Sequence, residues 1–334
     1  RPRRGFFGGV HVARYVVSRL GQAVLSLYVL VTILFFMFRL LPGDPTVAML
    51  DAALPPEAQE LVIREFGLDK PLLTQYWVYI SNLLHGNFGI SFTYRTPVFD
   101  VIWEKLINTV WLMGSAILVA MGFGSLLGAL LARYRNTWIE SVGVVVALTL
   151  RSAPVYWTGI LALTLFAFKL RIFPIGGMNS PGREFATAAQ QFLNLDFLHH
   201  LVLPALVAGL YMMATPMLIM RSAMLEVMGE DFVEMARAKG LKERAILFRH
   251  VVRNALLPVV TEATLLIGLA VGGQVLVETI FRWPGLGREI VMAIQRKDYP
   301  VAQATFLFMG FVVVILNLVT DLLYARLDPR ITYR

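Results

Sequence analysis

The sequence contains no cysteine, which excludes disulfide bonds, cysteine-ligated zinc and thiol catalysis. Charged residues are scarce, at 16% of the chain against about a quarter in soluble domains. The five histidines show no metal-binding spacing, and no Gly-x-x-x-x-Gly-Lys-Ser/Thr loop is present to bind nucleotide phosphates. No serine–histidine–acid set or carboxylate pair indicates catalysis. We therefore predict that the chain is not an enzyme and holds no metal of its own.

Long apolar runs dominate the composition, in which 57% of residues are hydrophobic. Several runs reach or approach the roughly 20 residues that a helix needs to cross a bilayer. The runs without Asp, Glu, Lys or Arg include 106–132, 152–168, 201–220 and 299–320. Because a bilayer offers no water to backbone groups, we predict an all-α integral membrane protein. Its six transmembrane helices are expected near residues 20–41, 106–132, 139–167, 198–221, 256–280 and 301–324.

The distribution of basic residues predicts how these helices are oriented. The first 19 residues carry five arginines, and the apolar run that follows is too long for the 7–15-residue core of a cleaved signal peptide. We therefore expect an uncleaved first helix with the N-terminus in the cytoplasm. The inside segments then hold 17 Lys and Arg over 72 residues, and the outside segments hold 10 over 116. The net charge of +8 reflects this bias, and no nucleic-acid partner is predicted.

The predicted helices divide the chain into segments. They are a cytoplasmic N-terminal segment 1–19, a first transmembrane helix 20–41, an extracytoplasmic lobe 42–104, a five-helix core 105–324 that includes a cytoplasmic loop 221–255, and a cytoplasmic tail 325–334. The lobe is rich in acidic residues. Within it, residues 55–66 are expected to form a short helix, because proline precedes acidic residues and Gly67 follows as a stop.

Two turn sequences follow the predicted outer ends of helices one and five. In both, proline presets φ and glycine permits a positive φ, so the helix ends sharply. Each turn is either a helix terminator only, or an extracytoplasmic gate or docking surface. The residues concerned are Pro42, Gly43, Asp44, Trp283, Pro284 and Gly285.

Three charged residues fall inside predicted spans, where a charge costs roughly 2.5–3.5 kcal/mol and faces protein or water. Arg151 lies midway along helix three, and Pro154 is expected to kink that helix. Glu262 lies early in helix five and Asp321 late in helix six. Each either lines a pathway, pairs with another subunit, or forms a structural pair within the chain.

The cytoplasmic loop 221–255 is long enough to fold. Asp231 is expected to cap a short helix over 232–239, with Glu234 at the capping-box position. Arg237 and Lys239 lie in the last turn, where cations suit the helix dipole, and Gly240 stands where a left-handed C-cap is wanted.

A second helix is predicted to follow Gly240. An apolar stripe at helical spacing comprises Leu241, Ala245, Phe248, Val252 and Leu256, and this helix runs to Pro258, where the fifth span is entered. A helix, a glycine and an amphipathic helix held between two spans would form a rigid protrusion suited to a soluble partner. The alternative is an interfacial helix on the lipid headgroups.

The sequence Glu-Met-Ala-Arg-Ala-Lys-Gly at 234–240 resembles the EAA motif of permease subunits of ATP-binding-cassette (ABC) importers, with Met235 in place of the middle alanine. The segment 249–258 resembles the longer version found in dipeptide and oligopeptide permeases. Further stretches resemble the first permease subunit of that family, in its order along the chain, at 40–45, 66–92, 278–290, 297–303 and 317–331.

The resemblance implies the type I importer fold, with a coupling helix that sits in a groove of a partner ATPase. It also implies a homologous second permease, two ABC ATPase subunits that hold ATP and Mg²⁺, an extracytoplasmic solute-binding protein and a bacterial or archaeal cytoplasmic membrane. No cofactor is expected on this chain. The ATPase-coupling residues are predicted to be Asp231, Glu234, Ala236, Arg237, Lys239, Gly240, Arg249 and Asn254.

Within that family the cargo is a dipeptide, oligopeptide, glutathione, nickel chelate, opine or oligosaccharide, and the sequence does not choose among them. The alternatives are a secondary transporter and a non-transporting membrane scaffold. A secondary transporter would need inverted repeats and an ion-coupling carboxylate, for which only Glu262 and Asp321 are available. A non-transporting membrane scaffold would not need the cytoplasmic protrusion. The protrusion therefore favours an ATP-driven importer of peptides or a related small solute.

Overall fold

The computed structural model describes residues 7–39, 63, 69–183, 185–271 and 274–327. Within these ranges the regular structure is helical, apart from one isolated bridge between Ile90 and Pro97. The helices are α1 (Phe7–Arg39), α2 (Leu72–Leu84), α3 (Val98–Arg133), α4 (Trp138–Ser152), α5 (Val155–Ala162), α6 (Ala188–Phe192), α7 (Leu195–Met212), α8 (Ala214–Val227), α9 (Asp231–Ala238), α10 (Val252–Val271), α11 (Val275–Ile280), α12 (Leu286–Gln295) and α13 (Tyr299–Leu327). A π-helical stretch, Leu163–Lys169, continues α5. A short α-helical segment, Glu243–Ala245, and a second π-helical stretch, Ile246–Val251, lead into α10.

Five helical segments are long and apolar enough to cross a membrane. They are Tyr15–Arg39, Val98–Arg133, Leu195–Met212, Glu243–Ile267 and Tyr299–Val319. The bent pair Trp138–Ser152 and Val155–Lys169 makes six if it is counted as one span. The predicted all-α membrane architecture with six spans is therefore confirmed.

The chain divides into two compact units, of which the first comprises Arg1–Ile107 and Glu289–Arg334. In this unit α1 packs along α13. The two helices approach closely at Gly310, where any added Cβ would clash with Leu30. Phe35 of α1 is fully buried and meets the ring of Tyr76 of α2 edge to face, with centroids 5.2 Å apart. Aromatic packing of this kind fixes α2 against α1.

The second unit, Asn108–Arg288, has its own hydrophobic core. Phe197 of α7 and Trp283 after α11 are both fully buried, with ring centroids 5.7 Å apart. In the same unit α8 packs against both α4 and α10. Gly128 of α3 permits close contact with α8, since a Cβ there would meet the backbone of Met217.

The predicted continuous third helix, 139–167, is wrong in one respect. It is expected to kink at Pro154, but the structure breaks it between Ser152 and Val155 and bends the two halves by 98°. Ala153 adopts an extended conformation (φ −68°, ψ 131°), as residues before proline commonly do. Proline also has no N–H, so the carbonyl of Leu150 loses its regular helical donor.

The predicted boundaries of helices four and five are also wrong. Helix four, placed at 198–221, is two helices, α7 and α8, that meet at Met213. Helix five, placed at 256–280, is helical from Glu243 through Pro258 to Val271, and α11 is a separate short helix. Proline is tolerated inside membrane helices because other groups satisfy the freed carbonyl, so Pro258 does not mark a helix start.

The first part of the predicted lobe 42–104, up to residue 68, lies outside the described residues except for Ile63. The short helix placed at 55–66 belongs to that part, of which only Ile63 is described. The sequence analysis did not place α2, which begins directly after Pro71 and ends at a turn around His85 and Gly86.

Candidate functional site

The strongest candidate site is the protrusion formed by α9 and the turn that follows it. Asp231 is the first residue of α9 and not its cap, which corrects the prediction. The N-cap is Glu230, whose side chain makes no capping bond and whose carbonyl oxygen accepts from the Val233 N–H at 2.9 Å. Asp231 and Glu234 thus lie in the first turn, where carboxylates favour the helix dipole.

The glycine that ends α9 behaves as predicted. Gly240 has φ +77°, in the left-handed region that favours glycine. Its N–H donates to the Arg237 carbonyl at 2.9 Å, and the Leu241 N–H donates to the Ala236 carbonyl at 3.2 Å. These two bonds form a Schellman motif, which satisfies the last carbonyls of the helix. Lys239 is the C-cap residue. The chain therefore reverses sharply and in a fixed conformation.

The inner face of α9 is packed against the rest of its unit. Val233 and Ala236 are buried and pack with Met224 of α8 and with Ile246 and Val251 of the following π-helical stretch. Ala236 thus allows close approach toward the chain's own core. On the outside, the Arg237 Nε donates to Glu243 Oε1 at 2.9 Å, which ties α9 to the segment after Gly240. The protrusion is consequently a folded unit and not a loose loop.

The outer face carries both charged and apolar side chains. Met235, at the position of the middle alanine of the EAA motif, is 59% exposed, and Phe248 is 65% exposed. Asp231, Glu234, Lys239, Arg249 and Asn254 are exposed as well, and the Asn254 amide donates to the His250 carbonyl of its own helix at 2.8 Å. This outer face stays the predicted surface for a partner.

The apolar stripe predicted for the second helix is wrong over its first three positions, whereas Val252 and Leu256 are partly buried against the core. Leu241, Ala245 and Phe248 are exposed. The buried positions are instead Ile246, Val251, Ala255 and Val259. A cavity of about 540 Å³ lies beside the protrusion and is lined by polar and apolar side chains. Among them are Arg133, Arg135, Glu234, Arg237, Glu243 and Leu247.

Two of the three charged residues within spans are brought into one region. Arg151, at the end of α4, is exposed and donates a hydrogen bond to the hydroxyl of Thr215 on α8. Its guanidinium also attracts the half-buried carboxylate of Glu262 on α10 electrostatically. The third residue, Asp321, lies within α13, and its side chain is outside the part that the structure describes.

Of the two turn sequences, Pro42, Gly43 and Asp44 lie outside the described residues. In the other turn Trp283 is fully buried, and its Nε1–H donates to the Asn108 carbonyl at 2.8 Å. The Asn108 amide in turn donates to the carbonyl of Pro284 at 2.9 Å. The turn is therefore built into the core of its unit, and its role as a gate or docking surface stays a prediction.

A buried carboxylate organises this turn, and the sequence analysis missed it. Glu278 is fully buried, accepts from the Thr109 hydroxyl at 2.8 Å and accepts from the Arg288 N–H at 2.9 Å. Gly285 leaves the space that the carboxylate occupies, since a Cβ there would lie 2.5 Å from Glu278 Oε1. The signal in the sequence was an acidic residue five positions before Trp283, at the start of the turn.

The first unit contains a second group of buried acids that the sequence analysis missed. Asp298 is buried and accepts from the Ser91 hydroxyl at 2.5 Å and the Thr93 N–H at 2.9 Å. The Tyr94 hydroxyl donates to Glu289 Oε1 at 3.0 Å. Burial raises the pKa of the Glu289 carboxyl, and the Tyr94 hydrogen bond opposes that rise. These contacts fix the segment before α3 within its own unit.

Comparisons with known proteins agree with this arrangement. Residues 124–333 match the family described as binding-protein-dependent transport system inner membrane component, and residues 12–113 match its N-terminal domain. Glutathione transport system permease protein GsiC of Escherichia coli (strain K12) is 34% identical over 320 residues, which cover 96% of this chain and 99% of the relative. GsiC of Shigella dysenteriae serotype 1 and of Shigella flexneri serotype 5b are similar to the same extent. The chain therefore belongs to the family of binding-protein-dependent transport system inner membrane components and is a multi-pass permease subunit of an ABC importer.

Proposed function

We propose that this permease forms half of the translocation path for a peptide-like small solute, driven by ATP hydrolysis on partner chains. The cargo class is supported by the relatives, whose name gives glutathione as the solute that they transport. The observation that carries the drive mechanism is the folded protrusion of α9, ended by the Schellman motif at Gly240. A helix fixed at both ends can transmit a displacement, whereas a loose loop would absorb it.

In this proposal α9 is the coupling helix and sits in a groove of an ABC ATPase. Met235 and Phe248 supply apolar contact area, and Glu234 and Lys239 supply polar contacts at its rim. Ala236 packs inward and lets α9 lie close to α8, so that a push on α9 moves the spans. Arg237 acts by holding α9 to Glu243. Asp231, Arg249 and Asn254 complete the exposed polar surface.

The complete transporter would contain this chain, a homologous second permease, two ABC ATPases and an extracytoplasmic solute-binding protein. ATP and Mg²⁺ would bind on the ATPases and not on this chain. Both termini and the α9 protrusion would face the cytoplasm of a bacterial or archaeal cell. Nucleotide binding would favour one arrangement of the two permeases over the other, and this difference in affinity would drive alternating access.

The test uses the complete transporter in proteoliposomes. Glu234→Lys and Gly240→Pro are each expected to lower two quantities, peptide uptake and the ATPase activity that loaded binding protein stimulates. Each should fall by at least about fivefold, which is the low end of measured couplings between sites. The control is Glu104→Lys, which reverses the charge of a 67%-exposed glutamate that pairs only with its neighbour Lys105 in the described structure. Wild-type uptake in both coupling variants would refute the coupling role of α9. Uptake without ATP by this chain alone would favour a secondary transporter.

A further inference from the structure

The break in the third span exposes a charged side chain inside the membrane. Arg151 is the penultimate residue of α4 and lies 13 residues after Trp138, or roughly 20 Å along the helix. That distance places it within the depth of a bilayer that is about 30 Å thick in its hydrocarbon part. Its side chain is exposed on this chain. An exposed guanidinium at that depth cannot face lipid without a large cost, so it faces water or protein.

The backbone at the same place also needs hydrogen-bond donors. Ala153 is extended, and Pro154 has no N–H to offer to the carbonyl of Leu150. Non-helical backbone at membrane depth is found where it is buried in protein or lines a water-filled cavity. Arg151 beside the break is exposed on this chain, so the break faces either a second permease or a water-filled cavity, and reactivity with a water-soluble reagent distinguishes the two.

Arg151 is held in place without being neutralised. It donates to the neutral hydroxyl of Thr215 on α8, and α8 packs against both α4 and α10. Through this packing Glu262 of α10 comes near enough to attract Arg151, yet no carboxylate in the described part of the chain forms a direct ion pair with it. The region therefore presents one positive and one negative group, positioned by three helices and separated from each other.

We propose that Arg151 and Glu262 line the water-filled translocation path and together hold the carboxylate and ammonium groups of a zwitterionic peptide-like cargo as it passes the break in the third span. The guanidinium of arginine binds a carboxylate with two parallel hydrogen bonds, and a glutamate accepts from an ammonium group. A pair of opposite charges that is separated suits a cargo whose two charges are also separated. This inference rests on the proposed function, because it takes the cargo class from there.

The first experiment asks whether Arg151 faces water, and it uses the fact that the chain has no cysteine. Arg151→Cys and Val146→Cys are made in the complete transporter in membranes and exposed to a water-soluble methanethiosulfonate. Val146 is 51% exposed and lies about 140° around α4 from Arg151. We expect the reagent to modify Arg151→Cys, and we expect peptide, with loaded binding protein and ATP present, to slow that modification. Val146→Cys should stay unmodified. An unreactive Arg151→Cys would overturn the proposal, since the site would then face the second permease or lipid.

The second experiment asks whether Arg151 recognises a carboxylate. Uptake of a dipeptide with free ends is compared with uptake of its C-terminal amide in proteoliposomes, with the same binding protein for every variant. Arg151→Gln should lower uptake of the free acid by at least about tenfold, the loss expected for one charge-assisted hydrogen bond, and uptake of the amide by less than about twofold. Arg151→Lys keeps the charge but loses the paired hydrogen bonds, so its uptake of the free acid should lie between those of wild type and Arg151→Gln. Lys169→Gln, which removes a positive charge at the end of the same span, should match wild type.

The outcomes separate the two proposals. Equal effects of Arg151→Gln on acid and amide, or no effect on either, with normal uptake by the wild-type complex, would overturn this inference alone. If the wild-type complex transported no peptide while still hydrolysing ATP, the proposed cargo class would fail and this inference with it. Glu262→Gln completes the test, because it should lower uptake of the free dipeptide and leave uptake of an N-acetylated dipeptide nearly unchanged.

Discussion

Glu278 shows how a single residue organises the turn after α11. A fully buried carboxylate is costly unless its oxygen atoms accept hydrogen bonds. Here the Thr109 hydroxyl and the Arg288 N–H donate to it, and the same Thr109 hydroxyl accepts from the Leu286 N–H at 2.8 Å. Hydrogen bonds to the Glu278 carboxylate therefore hold the turn around Gly285, in addition to apolar packing.

This arrangement predicts the effect of adding one methyl group. Gly285→Ala would place a Cβ 2.5 Å from Glu278 Oε1, and the carboxylate cannot move without losing its donors. We expect a loss of about 1–3 kcal/mol in the free energy of unfolding, seen as a lower midpoint of thermal unfolding in detergent. Gly122→Ala is the control, because nothing lies within 4 Å of its Cβ position and alanine favours a helix by about 0.5–1 kcal/mol. Equal midpoints for the two variants would contradict the role given to Glu278.

At the scale of elements, the segment after Gly240 explains why the predicted apolar stripe failed. The sequence pattern was interpreted with the 3.6-residue period of an α-helix. The structure contains a π-helical stretch, Ile246–Val251, in which hydrogen bonds run from residue i to i+5. The buried positions are accordingly spaced by five at Ile246 and Val251, and then by four at Ala255 and Val259. No residue type marks a π-helical turn, so the sequence alone could not reveal the shift.

Two substitutions in this segment distinguish the observed face from the predicted one. Val251→Ala removes two buried methyl groups and should lower the free energy of unfolding by about 1.5 kcal/mol. Phe248→Ala truncates a larger side chain that is 65% exposed and should change it by less than about 0.5 kcal/mol. Both are measured by thermal unfolding of the isolated chain in detergent. A larger loss of unfolding free energy for Phe248→Ala than for Val251→Ala would support the predicted stripe instead.

Other elements were predictable because a local signal specified them. Gly240 follows a helix with cations in its last turn, and its left-handed conformation is what that pattern predicts. The number of spans follows from the apolar runs. Contacts between distant residues were not predictable in this way. Arg151 and Glu262 are 111 positions apart, and only the packing of α8 against α4 and α10 brings them near each other. Sequence analysis could mark both as unusual charges but could not associate them.

At the scale of the whole molecule, the basic residues predict which ends of the helices face the cytoplasm. Arg133 ends α3, and Arg135 lies in the turn between α3 and α4. The connection from α5 to α7 follows the opposite end of the next span. Excess Lys and Arg stay on the cytoplasmic side during insertion. The α9 protrusion connects α8 to α10, and the segment 221–255 that includes it carries seven Lys and Arg. We therefore expect the protrusion and the α3–α4 turn to face the same compartment.

The absence of native cysteine makes that orientation directly measurable. Ala189→Cys in α6 and Arg135→Cys in the α3–α4 turn both replace exposed residues. A membrane-impermeant maleimide applied to intact cells should label Ala189→Cys at once, and Arg135→Cys only after the membrane is permeabilised. Lys242→Cys, in the segment after Gly240, should behave like Arg135→Cys, because an ATPase can reach α9 only from the cytoplasm. Labelling of Lys242→Cys in intact cells would place the protrusion on the wrong side for nucleotide-driven coupling and would remove the physical basis for assigning that role to α9.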